Sequence, residues 1–147
     1  MAVHSRRLTI DSHAPAEIVD ITERVREVLL ERSVRQGLVL VATRHTTAAI
    51  RIGEAEPGLY ADLLEFLARL APPGAGYRHD REPVDGRGNA HSHLAAFLLG
   101  ASEGVPVVDG ALALGTWQRI LFVELDGPRE GREVVVTVLG QGPGEVF

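Results

Sequence analysis

The chain has 147 residues, 45% of them hydrophobic and 24% charged, a composition that excludes intrinsic disorder and favours one domain spanning residues 1–147. It contains no cysteine, which excludes disulfides, thiolate nucleophiles and zinc–sulfur sites. All fifteen basic residues are arginine, so chemistry that needs a lysine amine, such as a Schiff base or a Walker phosphate loop, is excluded as well.

Charge and hydropathy limit the partners of the chain. A formal net charge of −5 argues against a nucleic-acid partner, because affinity for nucleic acid comes mainly from neutralising phosphates. No apolar run is long enough to span a bilayer, and Met1–Arg7 is polar and basic, unlike a signal peptide. We therefore expect no membrane partner and a cytoplasmic location. An anionic ligand would be small and held by arginine forks or by a metal.

The first elements are two short strands and a helix. Leu8–Ile10 is typical of a strand, and we expect residues 17–19 to pair with it across the intervening turn. A helix is predicted to begin near Asp20 or Thr22, because Asp20 and Glu23 have capping-box spacing. Its apolar stripe consists of Ile21, Val25, Val28 and Leu29.

The middle of the chain is predicted to form two strands followed by a helix. Leu38–Ala42 is a continuous apolar run that predicts a strand covered on both faces, and Ala48–Ile52 predicts another strand. Leu59–Leu70 predicts a helix that buries Leu59, Leu63, Phe66, Leu67 and Leu70 on one face.

The longest loop and a short helix follow. Residues 71–87 are rich in proline, glycine, arginine and aspartate, and loops of that length are usually functional or mobile. Residues 90–99 predict a helix, with Asn89 as N-cap and Gly100 as its stop.

The last third is predicted to be β-structure. Residues 105–108 and 111–114 flank Asp109-Gly110, a favoured two-residue hairpin turn. Residues 118–125 and 133–139 are two long strands joined by the turn 126–128. Strands at both ends with helices between them indicate an α+β fold that is mainly antiparallel.

Histidines are the strongest candidates for chemistry, because imidazole serves both proton transfer near neutral pH and metal ligation. His4 and His13 lie in the polar N-terminal stretch, where solvated surface is the ordinary explanation. The other four fall at strand ends or in and after the long loop, where sites are often built on a rigid scaffold: His45, His79, His91 and His93.

The His91-Ser92-His93 motif has two interpretations. In an extended stretch the two rings would share one face, a common arrangement of metal ligands. In the first turn of a helix they would diverge by roughly half a turn. His91 would then face the core with Leu94, Ala95 and Leu98, and His93 would point elsewhere. Asn89 as N-cap favours the helix, so one of the two histidines would serve a site.

Acidic and basic side chains accompany these histidines. His79-Asp80 lies in the arginine-rich run Tyr77–Arg81, and Asp85 and further arginines are near. Such a run is by default a solvated surface, and each feature alone is weak. Together, the histidines, carboxylates and arginines predict a site for a phosphorylated molecule or a cation.

Three blocks of the chain resemble the YjbQ-type secondary thiamine-phosphate synthase family. They are VLVATRHTTAAI at 39–50, GYRHDREPVDGRGNAHSHLAAFLL at 76–99 and PVVDGALALGTWQRILFVELDGP at 106–128. The resemblance implies a β-sandwich with flanking helices, assembled as a homotrimer with a polar cleft near the subunit contacts. It also implies a weak synthase that joins hydroxymethylpyrimidine diphosphate to a thiazole phosphate and releases pyrophosphate.

The resemblance also implies which residues serve the site. One departure is Gly53, which stands where the family usually has asparagine, and a milder one is Glu56 in place of aspartate. The matching positions are His45, Thr46, Thr47, His79, Asp80, Asn89, His93, Trp117 and Gln118.

Two classes of function follow. In the synthase, a divalent cation (Mg²⁺ or Zn²⁺) held by Asp80 and helped by Arg78 or Arg81 would neutralise the departing diphosphate, and His45 or His93 would protonate or orient it. His45, His79 and His93 are the candidate imidazole ligands of that metal. The alternatives are a non-catalytic trimer that binds a metal or a phosphorylated metabolite, and a metal-assisted hydrolase.

Overall fold

The structure, a computed structural model, describes residues 1–143. The helices are α1 (Thr22–Leu30), α2 (Pro57–Leu70) and α3 (Ala90–Leu99), and Arg78–Asp80 forms a short 3₁₀ turn. The strands are β1 (Ala2–Ile10), β2 (Glu17–Asp20), β3 (Gln36–Thr43), β4 (Ala48–Gly53), β5 (Ser102–Val108), β6 (Ala111–Leu112), β7 (Arg119–Glu124) and β8 (Arg132–Gln141).

The strands form two antiparallel sheets that enclose the main core. The larger sheet has the order β1-β8-β3-β5-β6 and the smaller one β2-β7-β4. Alternate residues of β8 point inward because side chains along a strand alternate between its two faces. They meet Ile50 and Phe122 of the smaller sheet and Val25 of α1. The predicted α+β, mainly antiparallel fold is confirmed.

The smaller sheet is buried on both faces. Its second face packs against α2 and α3 through residues such as Ala49, Val123, Leu67 and Ala95. Double-sided burial was predicted for Leu38–Ala42, and in the single chain that prediction is wrong: Leu38 and Leu40 are 39% and 42% exposed. The reason is that α2 and α3 cover the smaller sheet and α1 packs its apolar face against the main core, so no helix covers the outer face of β3 within residues 1–143.

The predicted pairing of residues 17–19 with Leu8–Ile10 is wrong. β2 pairs with β7 instead of β1, and β1 pairs with β8 along its whole length. β7 and β8 are consecutive, yet they lie in different sheets. The segment between them therefore crosses from one sheet to the other, and this crossing carries several residues of the site described below.

The helix caps differ in detail from the predictions. Asp20 Oδ1 accepts hydrogen bonds from the Thr22 backbone N–H and hydroxyl, but Glu23 pairs with arginines and forms no capping box. α2 begins earlier than predicted, because the Glu56 carboxylate accepts from the N–H groups of Gly58 and Leu59.

The predicted apolar stripe of α2 is only partly buried. Leu67 is buried, Leu63 packs partly against the helix-side core, and Leu59, Phe66 and Leu70 are exposed. No helix within residues 1–143 has the length and apolar character needed to cross a membrane.

Candidate functional site

Helix α3 separates the two neighbouring histidines, as the helical interpretation predicted. His93 faces the clefts described below, whereas His91 lies beside Ala95 in an apolar pocket between α3 and α2. His91 Nδ1 is enclosed there, without a hydrogen-bond partner among residues 1–143. The prediction that Leu94, Ala95 and Leu98 face the core beside His91 is only partly right. Ala95 is buried, but Leu94 and Leu98 are exposed.

Two clefts meet at His93. The His45 cleft encloses about 300 Å³ and is lined by His45, Thr46, His93 and Phe97 among others. The His79 cleft encloses about 540 Å³, is lined in part by Arg78 and His79, and shares His93 and Phe97 with the first. The rings of His79 and His93 meet edge to face, with centroids 4.8 Å apart. The clefts are separated by a ridge formed by the shared residues His93 and Phe97. Three of the four predicted histidines therefore lie around this ridge: His45, His79 and His93.

The ring of His45 is anchored by the backbone of β8. Its Nε2 accepts a hydrogen bond from the Glu133 backbone N–H at 2.8 Å. Burial lowers the pKa of His45 below its ordinary value of 6.5, and the nearby Arg132 guanidinium lowers it further. The ring is therefore neutral at physiological pH, and Nδ1 is the ring nitrogen to which no group of residues 1–143 bonds.

A chain of hydrogen bonds anchors His79. Its Nε2 lies 3.0 Å from Asn89 Oδ1, and Asn89 Nδ2 donates to Asp126 Oδ2 at 2.7 Å. Asp126 also accepts from Arg87 and Arg129. Burial alone would raise the pKa of Asp126, but the hydrogen bonds from Arg87 and Asn89 outweigh it and lower the pKa.

Asp80 caps α3 in place of Asn89. Its Oδ1 accepts from the Ala90 backbone N–H at 2.9 Å, while the side chain of Asn89 makes no capping bond. The predicted helix start is right, and the predicted capping residue is wrong. Asn89 turns instead toward Asp126 and His79, which explains why an amide at this position serves the site.

A buried ion pair stabilises the segment that carries Thr46 and Thr47. Glu124 and Arg132 are almost fully buried, and Arg132 Nε donates to Glu124 at 2.8 Å. Arg132 also donates to the Thr47 hydroxyl at 2.9 Å, and Ser12 donates to Glu124. Thr47 is thereby held inside the protein, while its neighbour Thr46 lines the His45 cleft.

Sequence reasoning missed Glu124, Asp126, Arg129 and Arg132 as functional candidates. The available signal was a glutamate inside the otherwise apolar run of β7, since charged residues are almost never fully buried unless they are paired.

Two predicted residues, Trp117 and Gln118, lie away from the clefts. Trp117 and Gln118 precede β7, whose Arg119 pairs with Gly53, whereas Ala48, next to the His45 cleft, pairs with Glu124. The two ends of β4 are about 16 Å apart at the usual rise per residue. Trp117 is 71% exposed, and Gln118 accepts from Gly115. Gly53 also lies at that end, away from the clefts. Arg81 is exposed in the long loop.

Several of the candidate metal ligands already form hydrogen bonds within the protein. Nε2 of His45, Nε2 of His79 and Oδ1 of Asp80 each have a protein partner. Within residues 1–143 no three histidine, aspartate or glutamate side chains are arranged to hold a metal ion. A metal at this site stays a prediction, and its remaining ligands would have to come from a bound molecule or a second chain.

Comparison with known proteins identifies relatives over nearly the whole chain. The family described as "UPF0047 protein YjbQ-like" matches residues 6–141. A UPF0047 protein of Archaeoglobus fulgidus is 55% identical over 128 residues, which cover 87% of this chain and 96% of that protein. One from Methanothermobacter thermautotrophicus is 43% identical over 141 residues, or 96% and 95% of the two chains.

Solved structures have the same fold. A YbjQ-like protein of unknown function from Sulfolobus solfataricus superposes with a TM-score of 0.91 at 36% identity, covering 95% of this chain and 99% of that one. A hypothetical protein from Aeropyrum pernix superposes with a TM-score of 0.86 at 42% identity, covering 96% and 100%.

Proposed function

The chain belongs to the YjbQ-like UPF0047 family, and we propose that it is a transferase of the thiamine-phosphate synthase kind, acting on a small phosphorylated metabolite at the His45 and His79 clefts. The observation that carries the proposal is the position of His93, which lines both clefts and touches the ring of His79. A molecule seated across this ridge would meet three imidazoles and the Arg78 guanidinium.

The proposed reaction needs donors for a departing diphosphate. The bond between the pyrimidinylmethyl carbon and the diphosphate oxygen breaks, the thiazole nitrogen bonds to that carbon, and pyrophosphate leaves. Because the thiazole nitrogen carries no proton, the product is a thiazolium and no base is required. Negative charge builds on the leaving oxygen, so hydrogen-bond donors aimed at it stabilise the transition state. Arg78 and the free N–H of His45 are suited to that task.

The test is an assay of the purified protein with hydroxymethylpyrimidine diphosphate and thiazole phosphate. We expect thiamine phosphate and pyrophosphate in equal amounts. Pyrophosphate without thiamine phosphate would indicate hydrolysis instead. Saturable binding of the diphosphate with neither product would support the alternative function, a non-catalytic protein that binds phosphorylated metabolites. Either result would contradict the synthase.

We also propose a homotrimer, as the family resemblance implies. Exposed apolar side chains lie on the outer face of the larger sheet, and exposed apolar patches usually mark contact surfaces. The residues on it are Val3, Leu38, Leu40, Val108 and Leu139.

Light scattering is expected to show a trimer at micromolar concentration. Leu40→Lys should produce monomers, because a charge would be buried at the contact, whereas Val84→Lys on the fully exposed loop should leave the trimer intact. A wild-type protein that is monomeric throughout this concentration range would contradict the assembly.

A further inference from the structure

We propose that His45 and His79 are held in opposite tautomers, so that His45 offers an N–H to a bound molecule and His79 offers a lone pair. The inference concerns the same clefts as the proposed function and rests on it only for the identity of the bound molecule. It follows from the hydrogen-bond partner that each ring already has.

The partner of His45 is a backbone N–H, which can only donate. Nε2 must therefore be unprotonated to accept from Glu133 at 2.8 Å, and the neutral ring carries its proton on Nδ1. Protonation of Nε2 would set two N–H groups against each other. Within residues 1–143 no group bonds Nδ1, so its N–H is the one available to the cleft that His45 lines.

The partner of His79 is set by Asp126. An ionised carboxylate can only accept, and Asp126 receives donors from Arg87, Arg129 and Asn89. Asn89 must therefore direct its NH₂ toward Asp126, which leaves its carbonyl oxygen facing His79. That oxygen requires a donor, so the proton of the neutral ring is on Nε2, and Nδ1 keeps a lone pair. Asp126 and Asn89 are positioning residues for this tautomer.

The two histidines consequently offer opposite hydrogen-bonding groups to a bound molecule. The N–H of His45 suits an acceptor such as a phosphate oxygen, and the lone pair of His79 suits a group that carries an N–H or O–H. Since the clefts share His93 and Phe97, one molecule can reach both. The preferred ligand class is a phosphate or diphosphate ester of a small ring that bears an amino or hydroxyl group, with its phosphate toward His45.

The tautomers can be read directly from a two-bond ¹H–¹⁵N correlation spectrum of the full-length labelled protein at a pH where the imidazoles are neutral. We expect the unprotonated nitrogen to be Nε2 in His45 and Nδ1 in His79. Asn89→Leu should remove the hydrogen bond that fixes the tautomer of His79 and leave His45 unchanged. The cross-peaks of His79 should then approach those of the exposed His13. The same tautomer in both rings of the wild-type protein would overturn the inference.

A matched pair of variants tests the consequence, with pyrophosphate as the probe. His45→Met keeps a weak acceptor for the Glu133 N–H and carries no donor, and should weaken pyrophosphate binding about tenfold or more. His79→Met removes the imidazole lone pair, which pyrophosphate does not use, and should leave this affinity within about twofold. Equal losses in the two variants would contradict the assignment. If the wild-type protein binds no pyrophosphate, the proposed function fails, while the spectrum still decides the tautomers.

Discussion

Replacing His93 with alanine is expected to lower the turnover of thiamine phosphate formation by about a hundredfold or more, which is the usual contribution of a residue that transfers or orients a proton. The loss should be large because His93 lines both clefts and contacts His79. The melting temperature should change little, since the ring is partly exposed and not part of the apolar core.

His91→Ala is the matched control on the same helix. Its ring packs between α2 and α3, so we expect a lower melting temperature and normal activity per folded molecule. Thermal melting and the product assay on both variants separate the two roles. A His93→Ala protein that melts far below the parent but keeps full activity per folded molecule would make His93 structural, and His45 and His79 would become the main candidates.

Breaking the buried ion pair is expected to have the largest effect on stability. Arg132→Met leaves the Glu124 carboxylate buried without its guanidinium partner, and such a change costs about 3–5 kcal/mol in the free energy of unfolding. The double variant Glu124→Leu with Arg132→Met should recover much of this, because neither charge remains. Arg26→Met, which breaks an exposed pair with Glu23, should cost less than about 1 kcal/mol. Urea unfolding measures all three, and similar losses for Arg132 and Arg26 would contradict the expectation.

The same pair predicts how stability depends on pH. Burial opposes ionisation of Glu124, but hydrogen bonds from Arg132, the Asp126 N–H and Ser12 outweigh it and lower the pKa below 4.5. The unfolded chain therefore takes up this proton first, and the stability that Glu124 contributes is present above about pH 4.5 and is lost as the pH falls toward the folded pKa. His45, whose pKa is lowered from 6.5, adds a separate loss that begins as the pH falls through about 6.5.

Unfolding by urea at several pH values separates these two groups. His45→Gln should remove the slope just below pH 6.5, and the Glu124/Arg132 double variant should reduce the slope below pH 4.5. A wild-type protein equally stable at pH 7 and pH 4 would contradict both assignments.

Helix α3 could be predicted from the sequence because its signals are local. The helix spans Ala90–Leu99 as predicted and ends at Gly100, whose φ of 97° suits glycine. The helical geometry then correctly separated His91 from His93. The identity of the cap could not be predicted, because Asp80 reaches Ala90 only through the fold of the preceding loop.

Strand partners and the acidic part of the site could not be predicted for a related reason. Any apolar alternating strand can pair with any other, and only packing of the whole core decides that β2 joins β7 and β1 joins β8. The Glu124–Arg132 pair bridges consecutive strands in different sheets, so its sequence spacing carries no recognisable motif. The histidines were recognisable because their residue type alone indicates chemistry.

The position of β8 in the larger sheet has a consequence for the order of events during synthesis. β8 lies between β1 and β3, so until β8 has been made β1 has no strand partner and β3 has a partner on only one edge. Pairings over such sequence separations form slowly, because a long loop must close before any contact stabilises it. His45 is anchored by Glu133, 88 residues downstream. A nascent chain that ends before Arg132 therefore contains His45, His79 and His93 but lacks the β8 anchor of His45, so the complete site can form only after β8 has been made.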